Sequence, residues 1–362
     1  MIVETTDCLY DFRFQHAQLE ITGRCNMRCQ HCRAWHEARV DMPLELVKKA
    51  LRFAMSEADD DFRLTISGGE PLLHRDLLDI VTAAKGLGIE SMIITTNASL
   101  ATEKILFDLD NLNVPNLAIQ VSVDSVVPDK HDEFRGSPGA FSKAMTAFER
   151  LRGTKLVPSL RASLTPDTLP EVEALVQLAI EQGARRIGLG SVIPAGRGLD
   201  NHRLLMKPQQ KREFLEAVAY CKKKYPQIDV TTEDPLKFAL EDCPWDCGDG
   251  VDINDGSFFG GCTAGVSGFN VDSEGVVTPC AVFLEPIVNL KDVSVEEALE
   301  IYRTSPVIVR LAERRFSGRC GECHLKRLCG GCRAVARGYN QNYLGEDATC
   351  WLNGVSRSEC QI

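Results

Sequence analysis

Short apolar segments alternate with longer amphipathic ones along the first two thirds of the chain. The short segments are rich in β-branched residues, which predicts six strands, at 18–22, 62–67, 91–96, 117–124, 156–164 and 186–190. Helical spacing of apolar residues between them predicts six helices, near 43–58, 75–87, 101–110, 139–152, 168–182 and 208–224. Asp41 and Pro43 mark the start of the first of these helices.

Six strand–helix units in succession predict a parallel sheet with right-handed crossover connections. A closed barrel takes eight such units in about 250 residues. The six units therefore indicate an α/β fold with an open, partial (β/α)6 TIM-like barrel, although a doubly wound open sheet gives the same pattern. In both folds, ligands bind at the carboxyl ends of the strands.

Beyond Lys224 the pattern changes, since residues 242–362 are rich in glycine and cysteine and contain few long helical segments. The segment GFNVDSEGVVTPC predicts a β-hairpin with its turn at 272–275. A region with so little apolar periodicity needs other stabilisation, and bound metal clusters would supply it. We therefore expect three parts: an N-terminal segment (1–16), a partial barrel (17–230) and a cysteine-rich C-terminal domain (231–362).

Composition narrows the classes of function. A chain of 362 residues fits two domains, and its 44% of hydrophobic residues supports a sizeable core. The formal net charge of −10 argues against binding to nucleic acid or to an anionic membrane, because both are polyanions. No signal peptide is visible, and no segment approaches the ~20 apolar residues of a membrane span. We therefore expect a cytoplasmic protein.

Fifteen cysteines in a cytoplasmic protein of this length indicate metal or redox sites instead of disulfides. Cys25, Cys29 and Cys32 form a CxxxCxxC motif just after the first predicted strand. A loop this short can supply three thiolates to a cubane iron–sulfur cluster. Because no fourth cysteine follows nearby, one iron would stay open for chemistry. The alternatives are a structural zinc site that adds His36, or two unrelated thiol pairs.

A second motif, SGGEP at 67–71, follows the second predicted strand. The two motifs at the ends of successive strands resemble the radical SAM superfamily. The later cysteines resemble its SPASM subgroup, to which the anaerobic sulfatase-maturing enzymes belong: Cys262 comes first, and Gly275-x4-Cys280 follows. The remaining cysteines of this array are Cys320, Cys323, Cys329, Cys332 and Cys350. Two residues separate Cys329 from Cys332, where the subgroup often has three.

The resemblance implies that the CxxxCxxC cysteines hold a [4Fe–4S] cluster whose open iron binds the amine and carboxylate of S-adenosylmethionine. An electron from the cluster would cleave the sulfonium, and the resulting 5′-deoxyadenosyl radical would abstract hydrogen from an unactivated carbon. Glu70 would accept from the methionine amine, beside Gly68 and Gly69, which permit close backbone approach. The further cofactor contacts implied are Ser122, Arg161 and, beside the adenine, His31. Asn97 and Asp124, also at strand ends, are ligand contacts or plain turn residues.

For the C-terminal region, the resemblance implies two auxiliary [4Fe–4S] clusters. One would be held by Cys320, Cys323, Cys329 and Cys350. The other would be held by Cys262, Cys280 and Cys332, with Cys243 or Cys247 as a fourth ligand or with an open iron. Taken alone, the CxxC pairs of this region would suggest zinc ribbons.

These features predict an enzyme that modifies a peptide or protein residue by hydrogen abstraction, with the auxiliary clusters taking up the substrate electron. The alternative is the same chemistry on a small molecule, either a sugar or cyclitol alcohol or a tetrapyrrole. The 16 residues before the first predicted strand are too few for a leader-recognition domain, which favours that alternative. The expected electron donor is reduced flavodoxin or ferredoxin. A non-catalytic electron carrier is disfavoured, because it would gain nothing from an open iron.

Overall fold

The structure of the chain, a computed structural model, describes residues 1–6, 9–34, 39–240 and 260–354. Cys8, His36, Cys243, Cys247 and Cys360 lie outside the described residues. The zinc site that uses His36 and the two candidate fourth ligands therefore stay predictions. Within the described ranges, no helix is long and apolar enough to span a membrane.

Strands and helices alternate through the first 231 residues. The strands of the described ranges are β1 (Ile2–Glu4), β2 (Leu9–Asp11), β3 (Phe14–Thr22), β4 (Ala58–Gly68), β5 (Ser91–Thr96), β6 (Asn116–Ser122), β7 (Val157–Leu164), β8 (Arg186–Ser191), β9 (Asp229–Thr231), β10 (Gly268–Val271), β11 (Val276–Thr278) and β12 (Val288–Asn289). The α-helices there are α1 (Leu44–Met55), α2 (Leu77–Gly86), α3 (Glu103–Asn111), α4 (Pro128–Arg135), α5 (Ala140–Leu151), α6 (Val172–Glu181), α7 (Arg197–Asp200), α8 (Pro208–Lys224), α9 (Val295–Thr304), α10 (Pro306–Glu313), α11 (Gly318–Glu322) and α12 (Arg333–Asn340). The six predicted strands correspond to β3 to β8, and the predicted hairpin is confirmed as β10 and β11.

One ten-stranded sheet, in the order β12-β11-β10-β3-β4-β5-β6-β7-β8-β9, organises the molecule. The strands from β3 to β9 run parallel, as the alternating pattern predicted. The strand β10 joins the same sheet parallel to β3 and brings the C-terminal hairpin with it. The sheet therefore continues across residue 230, where the sequence pattern changes.

Charged groups on distant strands of the sheet act on each other, which indicates that the sheet is curled. Arg63 on β4 has a pKa lowered by burial and by the charge of Arg186 on β8, while Asp229 on β9 opposes the shift. Four strands separate β4 from β9 in the sheet order. These groups interact because the two ends of the parallel run face each other across a central space, as in a partial barrel.

The two faces of the parallel strands differ in polarity. On β4, the residues Phe62, Leu64 and Ile66 are buried and pack in the apolar core. The alternate residues of the same strand, Arg63 and Thr65, are polar and point to the opposite face. The interior of a closed TIM barrel is filled with branched apolar side chains. Here the inner face is polar, so it lines a lumen instead of a packed core.

An aromatic cluster joins the barrel to the C-terminal region. Phe14 of β3 and Phe53 of α1 contact Phe269 of β10, with ring centroids 4.6 and 5.2 Å apart. Tyr302 of α9 packs edge-on against Phe14 and donates its hydroxyl to Gly265 O at 2.9 Å. The two regions therefore share one hydrophobic core.

Candidate active site

The CxxxCxxC loop begins where β3 ends, at the carboxyl edge of the parallel sheet. Thr22, the last residue of β3, donates its hydroxyl to the Asp41 carboxylate at 2.7 Å. Arg24 donates Nε and Nη2 to the two oxygens of Asp41, at 2.9 and 2.7 Å. Because Asp41 lies shortly before α1, these contacts close the loop at its base. The three cysteines of the loop remain partly exposed thiols.

The GGE segment packs against the backbone of the CxxxCxxC loop. The Gly69 N–H donates to Thr22 O at 2.6 Å, and the Glu70 N–H donates to Arg24 O at 2.8 Å. A Cβ on Gly68 would overlap Thr22 O, and a Cβ on Gly69 would overlap Arg24 O. Gly68 also has a φ of +128°, which side chains disfavour. The two glycines therefore serve the close approach of the cysteine loop.

Glu70 is fully buried, and its carboxylate fastens its own segment to the end of β5. Its Oε1 accepts from the Thr96 hydroxyl at 2.6 Å and from the Leu72 N–H at 3.0 Å. Its Oε2 accepts from the Asn97 N–H at 2.8 Å. Burial raises the pKa of this carboxyl, and the three donors oppose the rise. Both oxygens thus have protein donors, and the contact of Glu70 with a methionine amine stays a prediction.

Asn97 reaches the CxxxCxxC loop from the end of β5. Its Nδ2 donates to Asn26 Oδ1 at 2.9 Å and lies 4.0 Å from the Cys25 sulfur. N–H groups directed at cysteine sulfur favour the thiolate that binds iron. Asn97 is therefore a contact of the cysteine loop and not merely a turn residue.

The end of α4 closes over the same loop from the other side; we call residues 134–136 the α4 clasp. The Gln30 N–H donates to Phe134 O at 2.9 Å. The His31 ring stacks on the Phe134 ring, with centroids 4.3 Å apart and planes 5° from parallel. A Cβ on Gly136, whose φ is +59°, would lie 2.7 Å from Arg28 O. None of the expected site residues belongs to this clasp.

Arg135, the central residue of the α4 clasp, connects the cysteine loop to β6 and β7. Its Nε donates to Asp124 Oδ2 at 2.6 Å, and its Nη1 donates to the Cys29 sulfur at 3.8 Å. The other oxygen of Asp124 accepts from the Ser163 N–H at 2.8 Å. Burial alone would raise the pKa of Asp124, but the Arg135 charge holds it below its ordinary value. Asp124 is therefore an ion-pair partner of Arg135, which its place at a strand end did not indicate.

Two histidines beside this ion pair are held neutral. Burial lowers the pKa of His31 to about 4, and the negative charge of Asp124 opposes that shift. His31 Nδ1 is buried and has no hydrogen-bond partner in the described part of the chain. Burial also lowers the pKa of His131 to about 4, and its Nδ1 accepts from the Asp124 N–H at 3.1 Å. The predicted stacking role of His31 beside an adenine is untested, but one ring contact, to Phe134, is in place.

Ser122 and Arg161 are neighbours in the register of β6 and β7, on the lumen face. Ser122 is buried at the carboxyl end of β6. The Arg161 guanidinium lies over β8, where a Cβ on Gly190 would be 2.8 Å and one on Gly188 3.3 Å from its nitrogens. Glycines at those positions leave room for the guanidinium at the strand ends. Their contact with the carboxylate or ribose of S-adenosylmethionine stays a prediction.

Glu233, just after β9, is a lumen residue that no sequence motif indicated. Its side chain is exposed to solvent. Burial would raise its pKa, but the charges of Arg161, His16 and Arg63 lower it. Among the described residues, no hydrogen bond or ion pair engages Glu233, Arg161 or Arg63. The lumen therefore presents charged groups that are free to meet a ligand.

The C-terminal thiols fall into two groups by their electrostatic neighbours. Cys350 interacts with Cys320 and Cys323, and burial raises its pKa to about 12. Cys329 interacts with Cys350 and Cys320, and burial raises its pKa as well. Cys332 and Cys280 both interact with Cys262, and burial raises the pKa of Cys280 to about 11. These interactions pair the thiols in the way that the resemblance implied, and their roles as cluster ligands stay predictions.

Buried arginines hold the backbone around these thiols. Arg314 is buried in a left-handed conformation with a φ of +50°. Its Nη1 donates to Lys326 O at 2.8 Å and its Nη2 to Cys262 O at 2.9 Å. Arg333 is fully buried and donates Nη1 to Tyr343 O and Gly345 O, at 2.9 and 2.7 Å. These contacts replace the backbone pairing that helices or strands would otherwise supply.

Several donors in this region point directly at sulfur. The Cys320 sulfur accepts from the Asp347 N–H at 3.4 Å and from Arg333 Nη2 at 3.6 Å. The Cys329 sulfur accepts from the Gly331 N–H at 3.4 Å. Asp347 itself is buried and accepts from the Cys332 N–H at 2.8 Å. Such N–H···S contacts stabilise the negative charge of cluster-bound thiolates.

The two cysteine regions fit iron–sulfur clusters. Burial raises the pKa of Cys25 to about 11, so the free thiol would be protonated at neutral pH, whereas a bound metal would hold it as a thiolate. Among the described residues, no three Cys, His, Asp or Glu side chains lie close enough to share one metal ion. A zinc ion gathers its ligands at one centre, whereas the thiolates of a cubane each bind a different iron.

Comparison with known proteins agrees with this arrangement. Residues 19–179 match the sequence model of the Radical SAM superfamily. An AdoMet-dependent heme synthase of Methanosarcina barkeri is 27% identical over a match that covers 91% of this chain and 94% of that protein. A PqqA peptide cyclase of Rhizobium meliloti is also 27% identical, with 91% of this chain and 85% of that protein covered.

Among solved structures, Streptococcus suis SuiB bound to the precursor peptide SuiA shares the fold, with a TM-score of 0.74 and 19% identity. That match covers 94% of this chain and 76% of SuiB. The similarity thus extends over both cysteine-rich regions. The chain therefore matches the radical SAM superfamily over residues 19–179, resembles its SPASM subgroup over both cysteine-rich regions, and is an enzyme.

Proposed function

We propose that this enzyme modifies a residue of a peptide or protein, and that Cys25, Cys29 and Cys32 hold its [4Fe–4S] cluster. The geometry of the CxxxCxxC loop carries the proposal. Its three thiols lie at the carboxyl edge of a parallel sheet, on a loop fixed by Gly69 on one side and by the α4 clasp on the other. Ligands bind at that edge in related α/β folds.

When bound, the cluster and S-adenosylmethionine supply a one-electron cleavage that generates a carbon radical able to remove hydrogen from an unactivated position. The chain's own residues bind and orient. Arg161 and Ser122 face the lumen from adjacent strands and suit the carboxylate or ribose of the cofactor. His31 is neutral, so its ring can stack without placing a charge beside an adenine. The Glu70 carboxylate fastens the GGE segment to the end of β5, while the Glu70 N–H bonds to Arg24 O in the cysteine loop.

The division at residue 230 belongs to the same proposal. Residues 17–230 form the radical SAM barrel, and residues 231–362 form a domain that holds two auxiliary [4Fe–4S] clusters. Cys320, Cys323, Cys329 and Cys350 would hold one, and Cys262, Cys280 and Cys332 the other. The electrostatic grouping of the thiols and the N–H groups directed at Cys320 and Cys329 support this assignment. Reduced flavodoxin or ferredoxin would supply the first electron.

A peptide substrate is supported by the peptide cyclase among the relatives. A tetrapyrrole is the second candidate, because the heme synthase relative has the same identity over the same share of the chain. The lumen suits a polar substrate in either case. Glu233, Arg63 and Arg161 bring both signs of charge close together, and the pKa of Glu233 responds to both arginines.

The test is formation of 5′-deoxyadenosine by the anaerobically reconstituted enzyme with S-adenosylmethionine and a chemical reductant. Each candidate substrate, a synthetic peptide panel or an iron tetrapyrrole, is added separately. The true class should raise 5′-deoxyadenosine above the rate without substrate and should change in mass by the loss or gain expected for the product. Stimulation by the tetrapyrrole alone would replace the peptide proposal with the second candidate. A protein that binds iron but never cleaves S-adenosylmethionine would contradict both.

A further inference from the structure

We propose that Arg135 is a positioning residue for the first iron–sulfur site: its guanidinium contacts the Cys29 sulfur, favours the iron-bound thiolate and raises the reduction potential of the cluster. This inference rests on the proposed function, in which Cys29 is one of three cluster ligands. It adds a residue that lies in none of the cysteine or glycine motifs. Arg135 is more than 100 positions from Cys29 in the sequence, and the fold alone brings them together.

The geometry around Arg135 uses the two ends of one guanidinium. Nε faces Asp124 at 2.6 Å, and Nη1 faces the Cys29 sulfur at 3.8 Å. Arg135 is 8% exposed and Asp124 is 1% exposed, so water screens this contact weakly. A lysine has a single point charge on a flexible chain and cannot hold two partners in fixed directions as a guanidinium does.

The charge of Arg135 acts in a definite direction. A cluster that accepts an electron becomes more negative, and a buried cation beside one of its ligands lowers the free energy of that reduced form. Asp124 offsets part of the cation's charge but binds Nε, while Nη1 is the group directed at sulfur. Removal of the guanidinium should therefore make the cluster harder to reduce and its iron easier to lose.

Backbone contacts hold the α4 clasp on the cysteine loop. The electrostatic role of the Arg135 side chain can therefore be tested separately from a structural role. The Gln30 N–H bonds to Phe134 O, and Gly136 packs against Arg28 O. Neither contact involves the Arg135 side chain. A substitution at Arg135 can therefore leave the clasp closed over the loop while it removes the charge.

Arg135→Gln removes the guanidinium but leaves the buried Asp124 carboxylate without its cation, which destabilises the fold. The double variant Asp124→Asn, Arg135→Gln avoids this, because an asparagine oxygen can still accept from the Ser163 N–H. Arg135→Lys keeps the positive charge but lacks the planar guanidinium that contacts two partners at once. Lys130→Ala is the matched control: Lys130 lies on the same helix, exposed and paired with Glu171 at 2.9 Å.

Three properties are measured: folding by circular dichroism, the midpoint potential of the first cluster, and the rate of iron loss to a chelator. The first cluster is identified by an electron paramagnetic resonance signal that changes on addition of S-adenosylmethionine. The double variant should fold, show a more negative potential and lose iron about 10-fold faster, the usual size of such effects around a metal site. Arg135→Lys should fall between the double variant and the wild type. Lys130→Ala should match the wild type.

A folded double variant with wild-type potential and iron loss would overturn the inference. So would an equal shift in Lys130→Ala, because it would show an effect of helix α4 and not of the guanidinium. Failure of the proposed function is recognised separately. In that case the wild type itself would take up no cluster that responds to S-adenosylmethionine, before any variant is compared.

Discussion

The two cysteine-rich regions of this molecule are built by different means. The first places three thiols within eight residues, on one loop at a strand end. The barrel gives that loop its shape, through backbone contacts to the GGE segment and the α4 clasp. The second gathers seven thiols from positions 262 to 350. There, Arg314, Arg333 and Asp347 hold carbonyl and N–H groups that are not part of a helix or sheet ladder.

This difference indicates which kind of substitution would disturb each cysteine region. A loop on a regular scaffold is disturbed by steric change in the backbone around it. A loop region held by buried charged groups is disturbed when one of those groups is removed, because its partners are then left unsatisfied. The shared aromatic core of Phe14, Phe53, Phe269 and Tyr302 joins the two regions through ring contacts, apart from the polar contacts that hold each cysteine region. We therefore expect the two sites to fail independently.

The largest effect should come from replacing Cys25, Cys29 and Cys32 together by alanine. Formation of 5′-deoxyadenosine should be abolished, because the proposed first cluster loses every protein ligand. Anaerobic reconstitution should give ~8 irons per chain in place of ~12, since two cubanes remain in the second region. Iron analysis and chromatography of the reaction check both values. A variant that still forms 5′-deoxyadenosine would show that the CxxxCxxC motif is not the catalytic site.

Gly69→Ala should give the next largest effect. The added Cβ would overlap Arg24 O and lie 3.0 Å from Cys25 N, so the cysteine loop must move. A displacement of about 1 Å can cost about 100-fold in rate, which is the loss of 5′-deoxyadenosine formation that we expect. Iron in the second region should be unchanged.

Gly86→Ala is the control for that variant. Gly86 ends α2, and a Cβ there would meet no atom within 4 Å. It should keep full activity and gain up to about 1 kcal/mol of stability, because alanine restricts the unfolded chain more than glycine does. Equal losses in both variants would mean that the close approach of Gly69 to the cysteine loop is not the cause.

The sequence was most informative where one local pattern determines the structure. Strands β3 to β8 and the hairpin of β10 and β11 follow from alternation and turn residues, and the CxxxCxxC and GGE motifs from spacing. Strand β9, with three residues, is too short for a periodic signal. The joining of β10 to β3 could not be predicted either, because it pairs segments about 250 positions apart.

The α4 clasp shows why part of the site stayed hidden. The segment HDEFRG at 131–136 has low hydrophobicity and reads as an ordinary exposed helix end. In the structure His131 and Arg135 are buried, because a strand-end carboxylate, Asp124, and a distant thiol, Cys29, lie against them. Such burial depends on tertiary packing that a single sequence does not encode locally. The local signal for this segment was a glycine, Gly136, directly after Arg135. In the structure this glycine ends the helix with a φ of +59°.

Arg333→Met should break the second region and spare the first. Arg333 donates to Tyr343 O, Gly345 O and the Cys320 sulfur, and stacks on the Phe316 ring at 4.1 Å. Methionine fills much of the volume but leaves those acceptors unsatisfied, which should cost about 3–5 kcal/mol. Iron bound by the Cys320 group should fall, while the signal that responds to S-adenosylmethionine should persist.

Arg337→Met is the matched control, one turn further along α12. Arg337 is exposed and pairs with Glu285 at the surface, so its loss should cost less than about 1 kcal/mol. Chemical denaturation and iron analysis on both variants give the comparison. Loss of the first cluster together with the second in Arg333→Met would contradict the independence of the two regions.

The smallest expected effect is a dependence on pH that belongs to the barrel alone. Burial lowers the pKa of His131 from 6.5 to about 4, and the Arg135 charge adds to this, while Asp124 opposes it. Above pH 6.5, both folded and unfolded chains carry neutral histidine, and the contribution to stability is complete. As the pH falls below 6.5, the unfolded chain binds a proton that the folded chain excludes, so stability is lost progressively down to about pH 4. Between pH 7.5 and 5.5, the free energy of unfolding should fall by about 1.3 kcal/mol for this residue.

His131→Asn tests that assignment, because the asparagine oxygen can accept from the Asp124 N–H without titrating. The variant should lose about 1.3 kcal/mol less than the wild type over the same pH range in urea denaturation. Hydrogen exchange locates the effect: after correction for the intrinsic rate at each pH, protection factors of the wild type should fall in acid more in β6 and β7 than in α9 and α12. The physical reason is that His131 accepts from the Asp124 N–H, and Asp124 pairs with Arg135, which contacts the first cysteine loop. A loss of protection in acid confined to α9 and α12, or an unchanged pH dependence in His131→Asn, would show that another group is responsible.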